Sequence, residues 1–491
     1  MFNYTMNRDY IISHEIIGNE FSFSPSDFRS LPITEESKTL KEYLSNYKTG
    51  VEIGSEAYIN KSNIRFLKTN NITSSFLLDT SRVEYAIPNS KAVSPKNGSL
   101  LLVKDGGTGG LGEICLYTED KQFKDYISAG MIELYIKDMT TKTYIMGILK
   151  SKHFKEYIDN KTPGGSTIRH SRLLAFGYEI PLPKNEEVKT LVSLMVQNIL
   201  DKEQQIKVKN EQINSTIKEE LEMHSHPEIK MPVSNELLEN NFRFDSGLYS
   251  PEYKAIKGSV EFYEGGYFNL LDKYNAKRGQ NLQVSNIGIS IYSNEKKENF
   301  YRLVTRENFD KRFIKDIRYL GSNKKLSKLS DISIIMNATG VYAGDTIIFD
   351  SNSLPNTITN INQWVIESKN KNNKNDLIYV GCFLGYLSEK CFFEQIKDIS
   401  NGGMIVLEHL KIIKIPEFPE VLKKEIAAKY HNEIETNKDL TIETYLEKEK
   451  ERNNILGIWQ LNMELFSLKE QLEQLVHDIV YDEDIILEDY L

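Results

Sequence analysis

The segment Gly107-Thr-Gly-Gly-Leu-Gly112 matches the Gly-x-Gly-x-x-Gly spacing of a dinucleotide-binding turn and follows a strand-like run. That chemistry requires a helix to start at the last glycine, so that its first amides hold a pyrophosphate. Here Glu113-Ile-Cys-Leu-Tyr117 follows and reads as another strand. The segment is therefore expected to be a Gly-rich hairpin that turns the chain or brings backbone amides close to a phosphate. Other catalytic signatures are missing. There is no Gly-x-x-x-x-Gly-Lys loop, no His-Glu-x-x-His, no Gly-x-Ser-x-Gly and no Pro-Pro dipeptide, which excludes an amino-methyltransferase Asn/Asp-Pro-Pro-aromatic site. His224 and His226 sit in a His-Ser-His-Pro linker that reads as a solvated turn rather than a metal site. Cys115, Cys382 and Cys391 are far apart, odd in number and without ligand spacing, which fits a reducing cytoplasm.

What remains is cationic and polar. Arg65-Phe-Leu-Lys68-Thr-Asn70-Asn71, Lys277-Arg278-Gly-Gln280 and Arg302-Leu-Val-Thr-Arg306 set Lys or Arg beside amide side chains. Arg and Lys can read guanine, and Asn or Gln adenine, in the major groove of DNA. A solvated surface is the competing account for each stretch taken singly.

Those stretches belong to a duplicated frame. Glu42 to Gly50 resembles Leu271 to Gly279, with the glycines 229 apart. Asp105-Gly-Gly-Thr108-Gly109 resembles Asn337-Ala-Thr339-Gly340, with the threonines 231 apart. Pro163-Gly-Gly165 followed by Ile180-Pro-Leu-Pro183 resembles Asn401-Gly-Gly403 followed by Ile415-Pro-Glu-Phe-Pro419. Three matches in one order at nearly one offset imply two homologous domains, because the unit is too long for a solenoid repeat. Polar residues in and around the repeated segments complete the candidate set: Lys48, Lys104, Thr108, Ser166 and Arg169, then Asn337, Thr339 and Asn401.

The elements that would position them follow one grammar. Strand-like runs come first (Ser99–Val103 and Ala129–Ile136; Asp345–Phe349 and Thr359–Ile366), then a helical stretch (Tyr144–Ile158; Leu377–Ile396), a Gly-rich loop and the Ile-Pro stop. Proline ends the globular part and is tolerated in the first turn of a helix. From Glu186 to Leu221 there is neither Pro nor Gly, and Val192, Ile199, Ile206 and Ile213 recur every seven residues. Leu461, Leu465, Leu468, Leu472, Leu475 and Ile479 alternate spacings of four and three, a coiled-coil seam. The predicted fold is α+β: two mixed α/β domains, each followed by a long helix, with the helices pairing as an antiparallel coiled coil. The expected boundaries are 1–183, a helix and linker over 184–235, 236–416, and a helical region over 417–491.

Length and charge agree with this division. The 491 residues exceed one ordinary core, and 40% hydrophobic content excludes wholesale disorder. No apolar run reaches a membrane span, and Met1–Ile12 lacks the regions of a signal peptide, so a cytoplasmic location is expected. The formal charge of −9 argues against nucleic acid only while the chain is treated as uniform. Residues 41–180 hold 19 Lys plus Arg against 15 Asp plus Glu, and residues 261–416 hold 21 against 17. Two domains at +4 and a remainder at −17 suit phosphate binding by the domains alone.

In this order the motifs resemble the DNA-specificity (S) subunit of type I restriction–modification systems, over roughly residues 35–480. The similarity is carried by Lys96-Asn-Gly-Ser-Leu-Leu-Leu-Val103 with Gly107-Thr-Gly109, by Gly164-Gly-Ser-Thr with Ile180-Pro-Leu-Pro183, and by Asn401-Gly-Gly403 with Ile415-Pro416. Phe242-Arg-Phe-Asp-Ser-Gly-Leu-Tyr-Ser-Pro-Glu-Tyr253 is similar to the lead-in to a target recognition domain. The resemblance implies a non-catalytic chain that binds double-stranded DNA, each domain reading half of a bipartite sequence while the helices set the gap. It further implies docking to adenine methyltransferase (M) subunits, which would hold S-adenosylmethionine, with no cofactor in this chain. A motor-nuclease (R) subunit is the further partner where restriction is added. The second half departs from the pattern, with Ala338 and Val341 where the first has glycines. The acidic ending Tyr481–Tyr490 is similar to the C-terminus of single-chain methylase–specificity fusions, so a specificity protein serving such a methylase is a variant of this reading. A coiled-coil scaffold that has lost DNA reading and a nucleotide-using enzyme stay open beside it.

Overall fold

The computed structural model describes residues 37–80, 83–107, 110–162, 168–225, 246–310, 312–370, 373–398, 402–436, 440–481 and 483–490. Two units form. One draws its described residues from Met1–Gln204, Asn437–Glu451 and Ser467–Leu491, the other from Gln205–Thr436 and Arg452–Phe466.

The strands of the first unit are β1 (Lys38–Thr39), β2 (Asn46–Thr49), β3 (Tyr58–Ile59), β4 (Ile64–Leu67), β5 (Glu84–Ala86), β6 (Leu100–Val103), β7 (Asp105–Gly106), β8 (Ile114–Leu116), β9 (Lys124–Ile127), β10 (Met131–Tyr135), β11 (Arg169–His170) and β12 (Glu179–Ile180). They make two four-stranded sheets, β2-β10-β6-β8 and β3-β5-β4-β9, and the pairs β1-β12 and β7-β11. In the second unit the strands are β13 (Tyr267–Asn269), β14 (Tyr274–Arg278), β15 (Ser290–Ser293), β16 (Tyr301–Leu303), β17 (Phe309–Asp310), β18 (Phe313–Ile314), β19 (Arg318–Ser322), β20 (Ile332–Asn337), β21 (Thr346–Asp350), β22 (Thr357–Ile358), β23 (Gln363–Ser368) and β24 (Lys414–Pro416). Its sheets are β14-β23-β20-β21 and β15-β19-β16-β22, with pairs β13-β24 and β17-β18.

The two strand orders are the same once the second is laid on the first. Each larger sheet is antiparallel throughout, and each smaller sheet ends in one parallel pair, β4 with β9 and β16 with β22. Details repeat as well. Thr39 with Glu42 and Asn269 with Asp272 form capping boxes on one-turn helices, each of which begins with a buried leucine, Leu40 or Leu270. The Tyr144 hydroxyl donates to the Pro181 carbonyl at 2.5 Å, and the Tyr379 hydroxyl to that of Pro416 at 2.7 Å. Both bonds fasten the helix after the larger sheet (Met139–Lys150; Lys374–Glu389) to the Ile-Pro stop.

The glycines matched in sequence have a steric cause. A Cβ on Gly50 would lie 2.1 Å from the Ser128 carbonyl oxygen, and one on Gly279 would lie 2.2 Å from that of Asn360. Only a residue without a side chain lets the end of β2 or β14 cross so close to a neighbouring loop.

After Pro183 a single helix runs over Glu186–His224, with Glu186 and Glu187 favouring its positive N-terminal end. After Pro419 the helical region is divided into Glu420–Tyr430, Ile442–Ile455 and Ile458–Val480. The last break is imposed at Gly457, where a Cβ would sit 2.4 Å from the Asn432 nitrogen. In the first unit the helix Ile458–Val480 runs antiparallel to the long helix. Val192, Val196 and Leu472 all meet at Gly147, and Glu203 bonds Lys469 at 2.7 Å. Ile442–Ile455 runs the other way, alongside the long helix, since Asn198 bonds Tyr445 and Glu449 while Lys202 pairs with Glu449. The helical layer therefore has a third member that the heptad pattern did not announce. The seam residues Ile199, Ile206, Ile213, Leu461, Leu465, Leu468, Leu472, Leu475 and Ile479 are all buried.

Candidate nucleic-acid interface

In the first unit, several chain segments meet at one end of the larger sheet. The Gly50 amide donates to the Met131 carbonyl at 3.0 Å, Ser128 to Leu67 at 3.0 Å, Lys104 to Gly130 at 2.9 Å and Ser171 to Lys104 at 2.8 Å. Thr69 packs against Gly130, leaving no room for a Cβ there. This end thus carries Lys68–Asn71, Lys104–Gly107 and the β11 strand with Arg172 after it. Asp105 joins them, accepting from Lys104 at 2.5 Å and lying 3.0 Å from the exposed His170 ring. Asn70 and Lys48 are exposed, Lys48 on the outer strand β2. Thr108 and Ser166 lie outside the described residues, as do Gly109 and Pro163–Gly165.

Three of the first-unit candidates are committed to the fold. Arg65 is buried and makes a two-pronged pair with Asp125 at 2.7 and 2.8 Å, a further bond to Asp120 at 3.2 Å, and a stack on Phe123. Burial opposes its charge, but the bonds and charge of Asp125 together with Asp120 and Tyr117 prevail and raise its pKa. Asn71 is buried, accepts from the Lys68 amide at 2.8 Å and donates to the Asp79 carbonyl at 3.0 Å. Arg169 closes the helix Lys152–Lys161, bonding Asp159 at 2.6 Å and the carbonyls of Asp159 and Thr162 at 2.6 and 2.7 Å. A cation at a helix C-terminus suits the dipole there. Lys68 is half-buried, pairing with Glu84 at 2.7 Å and lying over the Tyr58 ring.

The second unit assembles the matching end. The Ala338 amide donates to Asn362 at 2.9 Å, Ile405 to Ala338 at 2.7 Å and Gly279 to Gln363 at 3.1 Å. Arg278 lies 4.0 Å over the Trp364 ring and donates to the Ile405 carbonyl at 3.3 Å; burial lowers its pKa. Asn337 is buried, donating to the Thr339 carbonyl and accepting from Gln363. Thr339 is half-buried and precedes Gly340, whose φ of +75° turns the chain to the exposed Val341. Arg306 pairs with Asp345 and stacks 4.2 Å over Tyr342. Gln280 accepts from the Ser327 amide at 3.3 Å. Lys277 and Arg302 face elsewhere: Lys277 pairs with Glu367 at 2.9 Å on the strand, and Arg302 donates to the Pro355 carbonyl at 2.6 Å. Asn401 lies outside the described residues, but Gly402 and Gly403 beside it both take positive φ, and Gly403 rests against Lys397 and the Gly340 carbonyl.

One repeated feature escaped the sequence reading. Asn308 is buried like Asn71, and its side chain accepts from the amide three residues earlier, Thr305, at 2.8 Å. Each asparagine closes the turn that leaves the parallel strand β4 or β16. Lys68-Thr-Asn-Asn71 and Thr305-Arg-Glu-Asn308 share only the asparagine, so identity could not reveal the match. His170, Tyr342 and Lys397 were likewise missed, having no local motif.

The chemistry open to this arrangement is binding. The chain continues from the described Gly110–Gly112 into the strand β8, antiparallel to β6, so the glycine motif does not open a helix. A dinucleotide turn is thereby excluded there. Burial pushes the Cys115 and Cys382 thiols up to about 12. Among the described residues, His477, Asp478 and Glu483 bring metal-type donors within 4.8 Å of one another. His224 is half-buried, 3.3 Å from Glu264, and His226 lies outside the described residues. No described helix is long and apolar enough to cross a membrane.

No protein-family model and no curated protein matches the sequence. Among solved structures, the chain is similar to the type I restriction–modification S subunit from M. genitalium, at 13% identity over 93% of this chain and 98% of that one, with a TM-score of 0.40. It is similar to a chain from a structure describing complex assembly and conformational transition of the type I R-M system (13% identity, 92% and 98% coverage, TM-score 0.28). A third similarity is to the HsdS subunit from Thermoanaerobacter tengcongensis (13% identity, 91% and 97% coverage, TM-score 0.26).

Proposed function

We infer that this chain is the DNA-specificity subunit of a type I restriction–modification complex, with no active site of its own. The observation that carries the reading is the duplicated strand order, which sets a polar and cationic loop cluster at the same end of the larger sheet in each unit. Two copies of one frame are what a bipartite target asks for, one copy per half-site. On this reading residues 1–183 and 236–416 hold the target recognition domains, and residues 184–235 and 417–491 supply the spacer and the docking surface for methyltransferase subunits. S-adenosylmethionine would be held by those partners, and a motor-nuclease subunit would add restriction. Lys68, Asn70, Lys104 and His170 in the first unit, and Arg278, Gln280, Arg306 and Thr339 in the second, are the residues proposed to face DNA. Phosphate contacts would set the register and base-edge contacts the sequence.

The test is to co-express the chain with the methyltransferase encoded beside it and map methylated adenines by sequencing. The expected result is one split motif with a fixed gap. An active complex that methylates without any discrete split motif refutes the assignment.

A further inference from the structure

The smaller sheet of the second unit carries an exposed apolar edge that folding does not need. Its core is complete without it: Ile287, Leu303, Leu320, Leu326 and Ile358 pack together, joined by Leu282 and Tyr301. Outside this core, Val284, Ile289, Ile291 and Tyr292 are 67, 74, 59 and 56% exposed. The last two lie on β15, the outer strand of the sheet, which pairs with β19 alone. Ile291 stands opposite Gly321, which offers no side chain to cover it. Gly288, at φ +72°, leads into the strand and sits tight against Asn323. Lys324 reaches back to the Ser285 and Asn286 carbonyls at 3.4 and 3.2 Å and braces the turn. The edge is thus held in shape before anything binds it. The corresponding strand of the first unit, β3, has two residues and presents only Ile59 at its edge.

Charge identifies the occupant. Residues 281–330 hold eleven Lys plus Arg against five Asp plus Glu, whereas the rest of 261–416 holds ten against twelve. The positive balance of this half therefore falls within residues 281–330, the stretch that holds β15, β16 and β19. Lys296, Lys297, Arg318, Lys324, Lys325 and Lys328 are all exposed there. An apolar edge within a cationic field suits a polyanion that also offers apolar groups. DNA does so in its major groove, about 12 Å wide, which admits a two-stranded ribbon and displays the thymine methyl.

Resting on the specificity reading above, we propose that the outer edge of this four-stranded sheet, strand β15, enters the major groove of the second half-site. Ile289 and Ile291 contact thymine 5-methyl groups there, and the flanking lysines bind phosphates. The second half-site is then read in part by apolar contact.

The experiment uses the full chain assembled with its methyltransferase and duplexes carrying the mapped split site. Each thymine of each half-site is replaced in turn by deoxyuridine, which removes only the methyl, and affinity is read by anisotropy at fixed salt. At least one replacement in the second half-site should weaken binding about fourfold, the loss expected for one buried methyl. I289S/I291S should bind more weakly and lose that sensitivity, while its dependence on salt stays as in the wild type. Specific binding that is indifferent to every deoxyuridine overturns the proposal and leaves the specificity reading intact. So does a second half-site without thymine on either strand. An assembled I289S/I291S complex that keeps the wild-type affinity and methyl sensitivity also overturns the proposal. Absence of any sequence-specific binding counts against the specificity reading itself.

Discussion

Removing the Glu203 carboxylate should loosen the loop it holds far more than an ordinary surface change. Glu203 is largely buried on the long helix, where one oxygen accepts from the Ser75 hydroxyl at 2.6 Å and from the Phe76 and Leu77 amides at 2.9 Å. The other oxygen takes Lys469 at 2.7 Å. Burial opposes its charge, but Lys469 and the donors prevail and lower its pKa. Hydrogen bonds to a charged group contribute about 1.5–3 kcal/mol each, and a buried donor left bare costs about 1–3 kcal/mol. Water entering the space left by Glu203→Ala would offset part of this, so we expect a net loss of about 2–4 kcal/mol, or roughly 30- to 1000-fold in local opening. Glu203→Gln keeps the volume and one acceptor and should lose about 1 kcal/mol. Hydrogen exchange of the Phe76 and Leu77 amides reports this opening directly, without requiring the two units to unfold as one. The sign with pH follows from the lowered pKa. The stabilisation is complete above the unfolded carboxyl value of about 4.3 and is lost as pH falls through the lower folded value. Exchange at these amides that changes less than threefold in Glu203→Ala would refute the reasoning, as would the same acid dependence in Glu203→Gln as in the wild type.

The steric account of the matched glycines predicts that Gly50→Ala and Gly279→Ala each cost about 1–3 kcal/mol, in the unit that carries the change, as judged by limited proteolysis against denaturant. In the native protein iodoacetamide should modify Cys391 alone, the other two thiols being buried, while denaturation should expose three sites; intact mass counts the adducts. Under the specificity reading, replacing Lys296, Lys297 and Lys325 by Ala should reduce the slope of log K against log salt by up to about 3, and an unchanged slope would remove these lysines from the phosphate contacts.

The duplication was legible because its landmarks are residues that sterics forbid to vary in type, such as Gly50 and Gly279 against a carbonyl oxygen. The long helix and the leucine seam were legible because a heptad is a local pattern. Strand order was not, since β4 finds β9 and β16 finds β22 about 60 residues away, and no spacing within either strand names its partner. The third helix stayed hidden for a related reason. Ile442–Ile455 is held to the long helix through Asn198, Lys202, Tyr445 and Glu449, polar residues that a search for apolar periodicity passes over. Buried polar groups satisfied in this way fix one alignment of the helices, whereas an all-apolar seam tolerates several.

The candidate site shows the same limit from the side of charge. Sequence counts a cation wherever Lys or Arg occurs, but whether that charge reaches solvent depends on residues far along the chain. Arg65 is balanced by Asp125, Arg169 by Asp159, Lys277 by Glu367 and Arg306 by Asp345. Each pair shortens the reach of a cation that composition credits to the surface, since an opposite charge beside it cancels most of its field beyond a Debye length. Equal balances of +4 in the two halves therefore do not make equal surfaces. In the first half two cations of the loop cluster are paired at close range, Lys68 with Glu84 and Lys104 with Asp105, while Arg172 stands exposed beside polar groups. In the second, Lys296, Lys297, Lys324, Lys325 and Lys328 stand exposed on and around the smaller sheet, in a stretch (281–330) where five acidic residues accompany eleven basic ones. A duplicated frame has thus diverged most where its surface chemistry lies, while the buried glycine, asparagine and tyrosine contacts that hold the frame have stayed alike.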